Sequence, residues 1–197
     1  MRSGPVIPPS AQFTLFPTPI GTCAIAWRGG KVCGSHLPEA TPELTEQRIA
    51  KRAGGAVEAG PADFVKAAID AILELLDGKP NDLTAIELDF IGIEPFALKV
   101  YELSRAIKPG QTRTYGDLAA DMGDRAYSQA IGRALGANPF PIIVPCHRIL
   151  GAGGRLTGFS ASGGINTKLK LLGIEKAQIG EVPSLFADLP LAVKGGR

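Results

Sequence analysis

The chain has 197 residues, enough for one large domain or two small ones, and its 45% hydrophobic and 20% charged content is ordinary for a folded globular protein. Its three widely spaced cysteines do not make a disulfide framework and point to a reduced, cytoplasmic setting. No membrane-length apolar run and no signal-peptide order is present, so no membrane association is expected.

The net charge of +2 is unevenly spread: residues 1–94 carry 8 Lys/Arg against 12 Asp/Glu, residues 95–175 carry 10 against 5, and the last 22 carry 3 against 2. A basic second half suits a polyanionic partner, although a solvated basic surface gives the same count.

In chain order, residues 1–12 are rich in Pro and Ser and read as a flexible N-terminus. Phe13–Phe16 and Thr22–Trp27 read as strands joined by Pro17-Thr18-Pro19-Ile20-Gly21, and Gly29-Gly30 as a hairpin turn into Lys31–Leu37. A short helix follows over Glu43–Ala53, closed by Gly54-Gly55. Pro61 opens a longer one through Leu76, with Phe64, Ala68, Ala71, Ile72 and Leu75 on one face. Alternation of Ile86, Leu88 and Phe90 with Glu87 and Asp89 predicts a half-buried strand over Thr84–Phe90. Mixed strands and helices predict a small α/β domain over 13–92.

Residues 93–175 read as a second, mostly helical domain. Phe96, Val100, Leu103 and Ile107 form a helical stripe ended by Pro109-Gly110. Thr114 caps a short helix through Ala120, Gly123 breaks it, and Tyr127–Leu135 forms another. Two short helices across a glycine-containing turn are a helix-turn-helix candidate, a signal that many helical pairs share. No internal repeat is visible, and residues 176–197 read as a loose tail.

The chemistry concentrates in Asn138-Pro139-Phe140-Pro141-Ile142-Ile143-Val144-Pro145-Cys146-His147-Arg148-Ile149. A proline-flanked apolar run delivers a thiol with imidazole and guanidinium next in line. A thiol reacts as its thiolate, and a neighbouring base or cation raises that fraction at neutral pH, so Cys146 reads as a nucleophile. Cys23 and Cys33 lie in strand-like stretches and read as core residues. With His36 they do not reproduce metal-ligand spacing, so no metal is expected.

Pro145-Cys146-His147-Arg148, Asn138-Pro139 before it, and Leu156-Thr157-Gly158-Phe159, Gly163-Gly164, Lys168, Leu171-Leu172 and Glu175 after it resemble the O6-alkylguanine-DNA alkyltransferases, the methylated-DNA–protein-cysteine methyltransferases. Phe96 through Leu118, with Ile107–Tyr115 at its centre, resembles the same family, so the match covers about residues 95–175; the first domain matches in general layout and in Thr18–Thr22. The resemblance implies a ribonuclease-H-like N-terminal α/β domain and a winged-helix-like DNA-binding domain. It implies a monomeric repair protein, acting on double-stranded DNA through the minor groove, that flips out O6-alkylguanine and takes the alkyl group onto its own cysteine once. O4-alkylthymine is a further candidate lesion, and no cofactor is implied. Flipping is physically required, because the thiolate must reach a carbon held inside the base stack.

The resemblance also assigns roles. Cys146 is the nucleophile, His147 its base through a water, and Glu175 the carboxylate that orients the ring; Glu175 alone would read as a solvated helix-end charge. Asn138 fixes the turn between the recognition helix and the active-site strand. Tyr115 contacts the phosphate 3′ to the target and the flipped base. Backbone at Cys146 and Ile149 accepts from the guanine amino group, and the Ser160 amide region donates towards O6. Ser128, Ala130 and Gly132 keep the recognition helix slim for a minor groove about 6 Å wide. Three departures stand out. Gln129 occupies the family's intercalating-arginine position, leaving Arg125 or Arg133 to compensate. Phe159 replaces a pocket tyrosine. Ser160-Ala161-Ser162 lengthens the loop before Gly163-Gly164. Two alternatives compete: a lesion-recognition protein that binds alkylated DNA without repairing it, which Gln129 favours and the retained Cys146 opposes, and a Cys/His hydrolase that turns over repeatedly.

Overall fold

The computed structural model describes residues 10–179; the expected N-terminal extension up to residue 9 and the expected tail from residue 180 lie outside the described residues. Strands β1 (Gln12–Thr18), β2 (Gly21–Arg28) and β3 (Lys31–His36) form an antiparallel meander. Gly29 and Gly30, at φ 55° and 82°, make the β2–β3 turn, the backbone that a two-residue hairpin requires. A short β4 (Val57–Glu58) adds parallel to β1, giving the order β3-β2-β1-β4.

Helices cover both faces of this sheet. Helix α1 (Pro42–Arg52) starts on a Thr41 cap that accepts from the Leu44 amide. It lays Ile49 against Phe13, Ala24 and Ala26. Helix α2 (Asp63–Leu76) buries Val65, Ala68, Ile72, Leu75 and Leu76 on the other face, with Phe16, Cys23, Ile25 and Trp27. The central strand β2 is therefore buried on both sides, Ala24 and Ala26 facing α1 and Cys23, Ile25 and Trp27 facing α2. Phe64, expected on the buried face of α2, is exposed, and Val65 takes its place.

Thr84–Phe90 is not a strand. It makes a single parallel bridge, Val32 to Leu88, with Val32 N donating to the Glu87 carbonyl at 2.9 Å and Asp89 N to the Val32 carbonyl at 2.8 Å. The carbonyls of Leu83, Thr84 and Ile86 are taken instead by the Arg105 guanidinium, and the Asp89 carboxylate pairs with Arg28. Ile86 and Leu88 are still buried. The alternation reports burial correctly, but the partners are side chains rather than a ladder.

The second half is built from α3 (Pro95–Arg105), α4 (Tyr115–Asp121), α5 (Ser128–Gly136) and α6 (Ile165–Ile174). Short strands β5 (Arg113–Thr114) and β6 (Ile149–Leu150) pair parallel. Helix α3 buries Val100, Tyr101 and Ser104; of the expected stripe Val100 and Ile107 are buried and Phe96 and Leu103 half-buried, and Tyr101 widens the buried face, donating to the Ala134 carbonyl at 2.9 Å. Thr114 and Asp117 form a reciprocal cap at the start of α4. The first residues of the expected tail are tied down: Ala177 N bonds the Leu172 carbonyl, and Thr112 Oγ1 donates to the Gln178 carbonyl at 3.0 Å. Among the described residues no helix is long and apolar enough to cross a membrane. The mixed α/β architecture agrees with the expected fold class.

Candidate active site

The segment that carries the thiol is held by its own side chains. Asn138 Nδ2 donates to the Val144 carbonyl, and Asn138 Oδ1 accepts from the Phe140 amide, both at 2.9 Å. From β3, Ser35 donates its amide to the Pro139 carbonyl at 2.9 Å and its hydroxyl to the Pro141 carbonyl at 2.8 Å. Cys146 N donates back to the Val144 carbonyl at 2.8 Å across Pro145, whose φ of −81° and ψ of 65° make an inverse γ-turn. The chain then enters a 3-10 turn over Cys146–Arg148 before β6. The run expected as an active-site strand is thus a sequence of turns. Prolines 139, 141 and 145 lack the amides a ladder needs, and β-branched Ile142 sits at φ 74°, a strained conformation that its buried surroundings impose.

Behind the thiol lies a buried ionic cluster. Glu175 Oε1 accepts from His147 Nε2 and from Arg148 Nη2, and Glu175 Oε2 accepts from Arg148 Nε, each at 2.8 Å. Arg148 also donates Nη1 to the Ile107 carbonyl at 2.6 Å. His147 and Arg148 are 0% and 1% exposed. Burial pushes the Glu175 carboxyl up, but the bonds from His147 and Arg148 outweigh it and hold it at about 2. Burial pulls His147 down despite Glu175, so the ring is neutral at pH 7. An ionised carboxylate accepts only, so Nε2 carries the ring proton; Nδ1 is then a bare lone pair, buried and without a partner.

The Cys146 thiol is pushed up by burial and pulled back by a hydrogen bond with Asn138 and by the charges of Lys168 and Arg52. Lys168 is fully buried and donates Nζ to the Ile149 carbonyl at 2.6 Å. Cys23, in the sheet core, is pushed up to about 12 by burial. A resting thiol is therefore neutral at Cys146, and reaction requires a base to take its proton.

Cys146 is half-buried and opens into a cavity of about 170 Å³. Of the residues expected at the site, Tyr115, Gly132, Asn138, Phe159 and Ser160 line this cavity with it. Tyr115 and Gly132 adjoin closely: a Cβ on Gly132 would stand 3.8 Å from the Tyr115 ring. Ser128, Gln129, Ala130 and Arg133 lie on α5 outside the cavity lining, with Gln129 and Arg133 exposed and Ser128 and Ala130 half-buried. Ser128 Oγ donates to the Arg125 carbonyl. Ile149 is fully buried, its carbonyl occupied by Lys168. His147 and Glu175 stand behind the lining, in contact with each other.

Sequence reasoning missed the part of Arg148 in the cluster, which the Pro-Cys-His-Arg run itself displays. It also missed His36, Leu37, Glu39 and Arg52, which line the cavity from the first half of the chain. No local pattern marks those four. Among the described residues no group of three or more His, Cys, Asp or Glu side chains could hold a metal ion.

Residues 95–177 match the family model described as 6-O-methylguanine DNA methyltransferase, DNA binding domain. The chain is 36% identical over 171 residues to the methylated-DNA–protein-cysteine methyltransferase of Mycobacterium leprae, covering 86% of this chain and 94% of that protein. Among solved structures it is similar to Mycobacterium tuberculosis OGT in complex with DNA, with a TM-score of 0.69 and 32% identity over 84% of this chain and 92% of that one. The O6-methylguanine-DNA methyltransferase of Pyrococcus kodakaraensis gives 0.62 and 29%, over 84% and 98%. A cysteine opening into a cavity, an ionic cluster behind it and a likeness running through nearly the whole described chain agree: the chain belongs to the methylated-DNA–protein-cysteine methyltransferases.

Proposed function

We propose that this protein repairs DNA by moving the alkyl group of an O6-alkylguanine onto Cys146, once per chain. The observation that carries the reading is Cys146 opening into a cavity beside α5, with neutral His147 and ionised Glu175 directly behind it. His147 Nδ1 takes the thiol proton through a water. The imidazolium so formed faces the Glu175 carboxylate, which favours it at the moment the charge appears. The sulfur then attacks the alkyl carbon. An S–C bond forms, the C–O6 bond breaks, and its electron pair stays on guanine, which takes up a proton. Donors in the loop at Ser160 stabilise the departing oxygen. Asn138 holds the turn, and Tyr115 and Phe159 flank the flipped base. The product thioether cannot leave, so the protein is consumed.

DNA binding is supported by the likeness to a relative solved with DNA. We place α5 in the minor groove. Half-buried Ser128, Ala130 and Gly132 add little bulk to the helix, and exposed Gln129 can enter the space left by the flipped base. Phosphate contacts supply most of the affinity, which then falls with salt. In this reading residues 13–92 form a ribonuclease-H-like domain and 93–175 a winged-helix-like one. The protein acts as a monomer in a reducing, cytoplasmic setting. Intact-mass measurement tests the stoichiometry: with excess duplex carrying O6-methylguanine, one methyl is added per chain and no more. Tight binding without added mass would favour lesion recognition alone, and continued turnover a hydrolase.

A further inference from the structure

Every group named in the transfer so far comes from residues 115–175, yet the cavity wall is completed by the first half of the chain. Arg52, the last residue of α1, is the member of that wall bonded to the site. Its Nη2 donates to the Asn138 carbonyl at 2.7 Å and to the Ala137 carbonyl at 3.4 Å. These carbonyls follow the C-terminus of α5, where aligned peptide dipoles leave partial negative charge, so a cation there is favoured and its bonds are charge-assisted. Asn138 in turn holds Val144 and Phe140. A continuous path of bonds therefore runs from α1 through Asn138 to the turn that presents Cys146. Arg52 is also part of the cavity lining, which its equally exposed neighbour Lys51 is not.

We propose that Arg52 is a positioning residue for alkyl transfer: it locks the Asn138 turn from the opposite half of the chain and presents a positive charge to the sulfur across the cavity. The proposal rests on the reading of Cys146 as the alkyl acceptor. Other groups face that sulfur too: Lys168 from α6, Tyr101 from α3 and Tyr115 from α4, with His147 adjacent in the chain. Lys168 shares the electrostatic task, so loss of Arg52 weakens the site without abolishing it.

The test compares Arg52→Met and Arg52→Lys with the parent in two assays. One is the rate of methyl transfer from a duplex carrying O6-methylguanine. The other is the pH dependence of Cys146 alkylation by iodoacetamide, mapped by peptide mass so that Cys23 and Cys33 are scored separately. Arg52→Met should transfer about tenfold more slowly at neutral pH, the effect of losing a charge-assisted bond. Its iodoacetamide midpoint should move to higher pH. Arg52→Lys should restore the midpoint but only part of the rate, since a rotating ammonium on a shorter stem is not aimed at the Asn138 carbonyl as the planar guanidinium aims Nη2. An unchanged rate and midpoint in Arg52→Met overturns the proposal, as does an equal loss of rate in both variants with the midpoint unmoved. Should Arg52→Met fail to fold, Arg52→Lys decides: reduced transfer with a parental midpoint supports the proposal, and parental transfer overturns it. A parent that takes no methyl refutes the proposed function instead, while the iodoacetamide titration still tests Arg52.

Discussion

Glu175→Gln removes one negative charge from the cluster behind Cys146 and changes little else in shape. In the parent, both carboxylate oxygens accept, from His147 on one and Arg148 on both. Glutamine keeps one acceptor and turns an NH₂ donor towards a donor, so the buried Arg148 guanidinium keeps the Ile107 carbonyl and one neutral amide oxygen but loses its counter-charge and one bond. The Glu175 side chain is 3% exposed, so solvent screens little of this. Its carboxyl is held at about 2 against an ordinary 4.5, a difference worth about 3 kcal/mol at neutral pH. Breaking a buried pair by removing one partner costs about 3–5 kcal/mol, which agrees. For a chain of this size that corresponds to a fall in Tm of about 6–12 °C. The pH dependence has a definite sign. A depressed carboxyl contributes stability above its unfolded value of 4.5, and that contribution is lost as pH falls through about 2. Parent and variant should therefore differ most at neutral pH and converge in strong acid. Methyl transfer should also slow by about 10²-fold, because the imidazolium at His147 loses its counter-ion. Thermal unfolding across pH, with single-turnover transfer at pH 7, measures both. A Tm within about 2 °C of the parent at neutral pH, with unchanged transfer, would refute the electrostatic account.

Three further outcomes follow from the same geometry. His147 is pulled below its ordinary 6.5 by burial, so the folded state binds its proton less well than the unfolded chain; stability should begin to fall as pH drops below about 6.5, and His147→Gln should remove that part of the acid dependence in a urea titration. Gln129→Arg adds a cation to the exposed edge of α5; binding to duplex DNA should tighten at low salt, and the slope of log affinity against log salt should steepen by about one, measured by fluorescence anisotropy. Gly132 has room for a Cβ beside the Tyr115 ring, so Gly132→Ala should fold and retain transfer, whereas Gly132→Phe should fill the cavity and block transfer from the lesion duplex.

What the sequence made legible is local. Gly29-Gly30 marked its hairpin because only a turn with two positive φ values fits there. The thiol, imidazole and guanidinium of Cys146, His147 and Arg148 are adjacent, so their chemistry was on display. Glu175 was found only through the family motif, because 28 residues separate it from His147 and no periodicity links them. Arg52 lies further off still, 86 residues from the Asn138 carbonyl it holds, in a helix whose own pattern is that of a solvated surface. Thr84–Phe90 failed for another reason. Alternating burial is shared by strands and by coil lying on a core, and here Arg105 supplied the partners that a neighbouring strand would have supplied.

The central claim is that carbon ends on one particular sulfur. A duplex bearing O6-methylguanine with an isotopically labelled methyl group should deliver that label to the peptide containing Cys146, as S-methylcysteine, and Cys146→Ser should take up none. Label on Cys23 or Cys33, or lesions left intact beside an unmodified Cys146, would contradict the account.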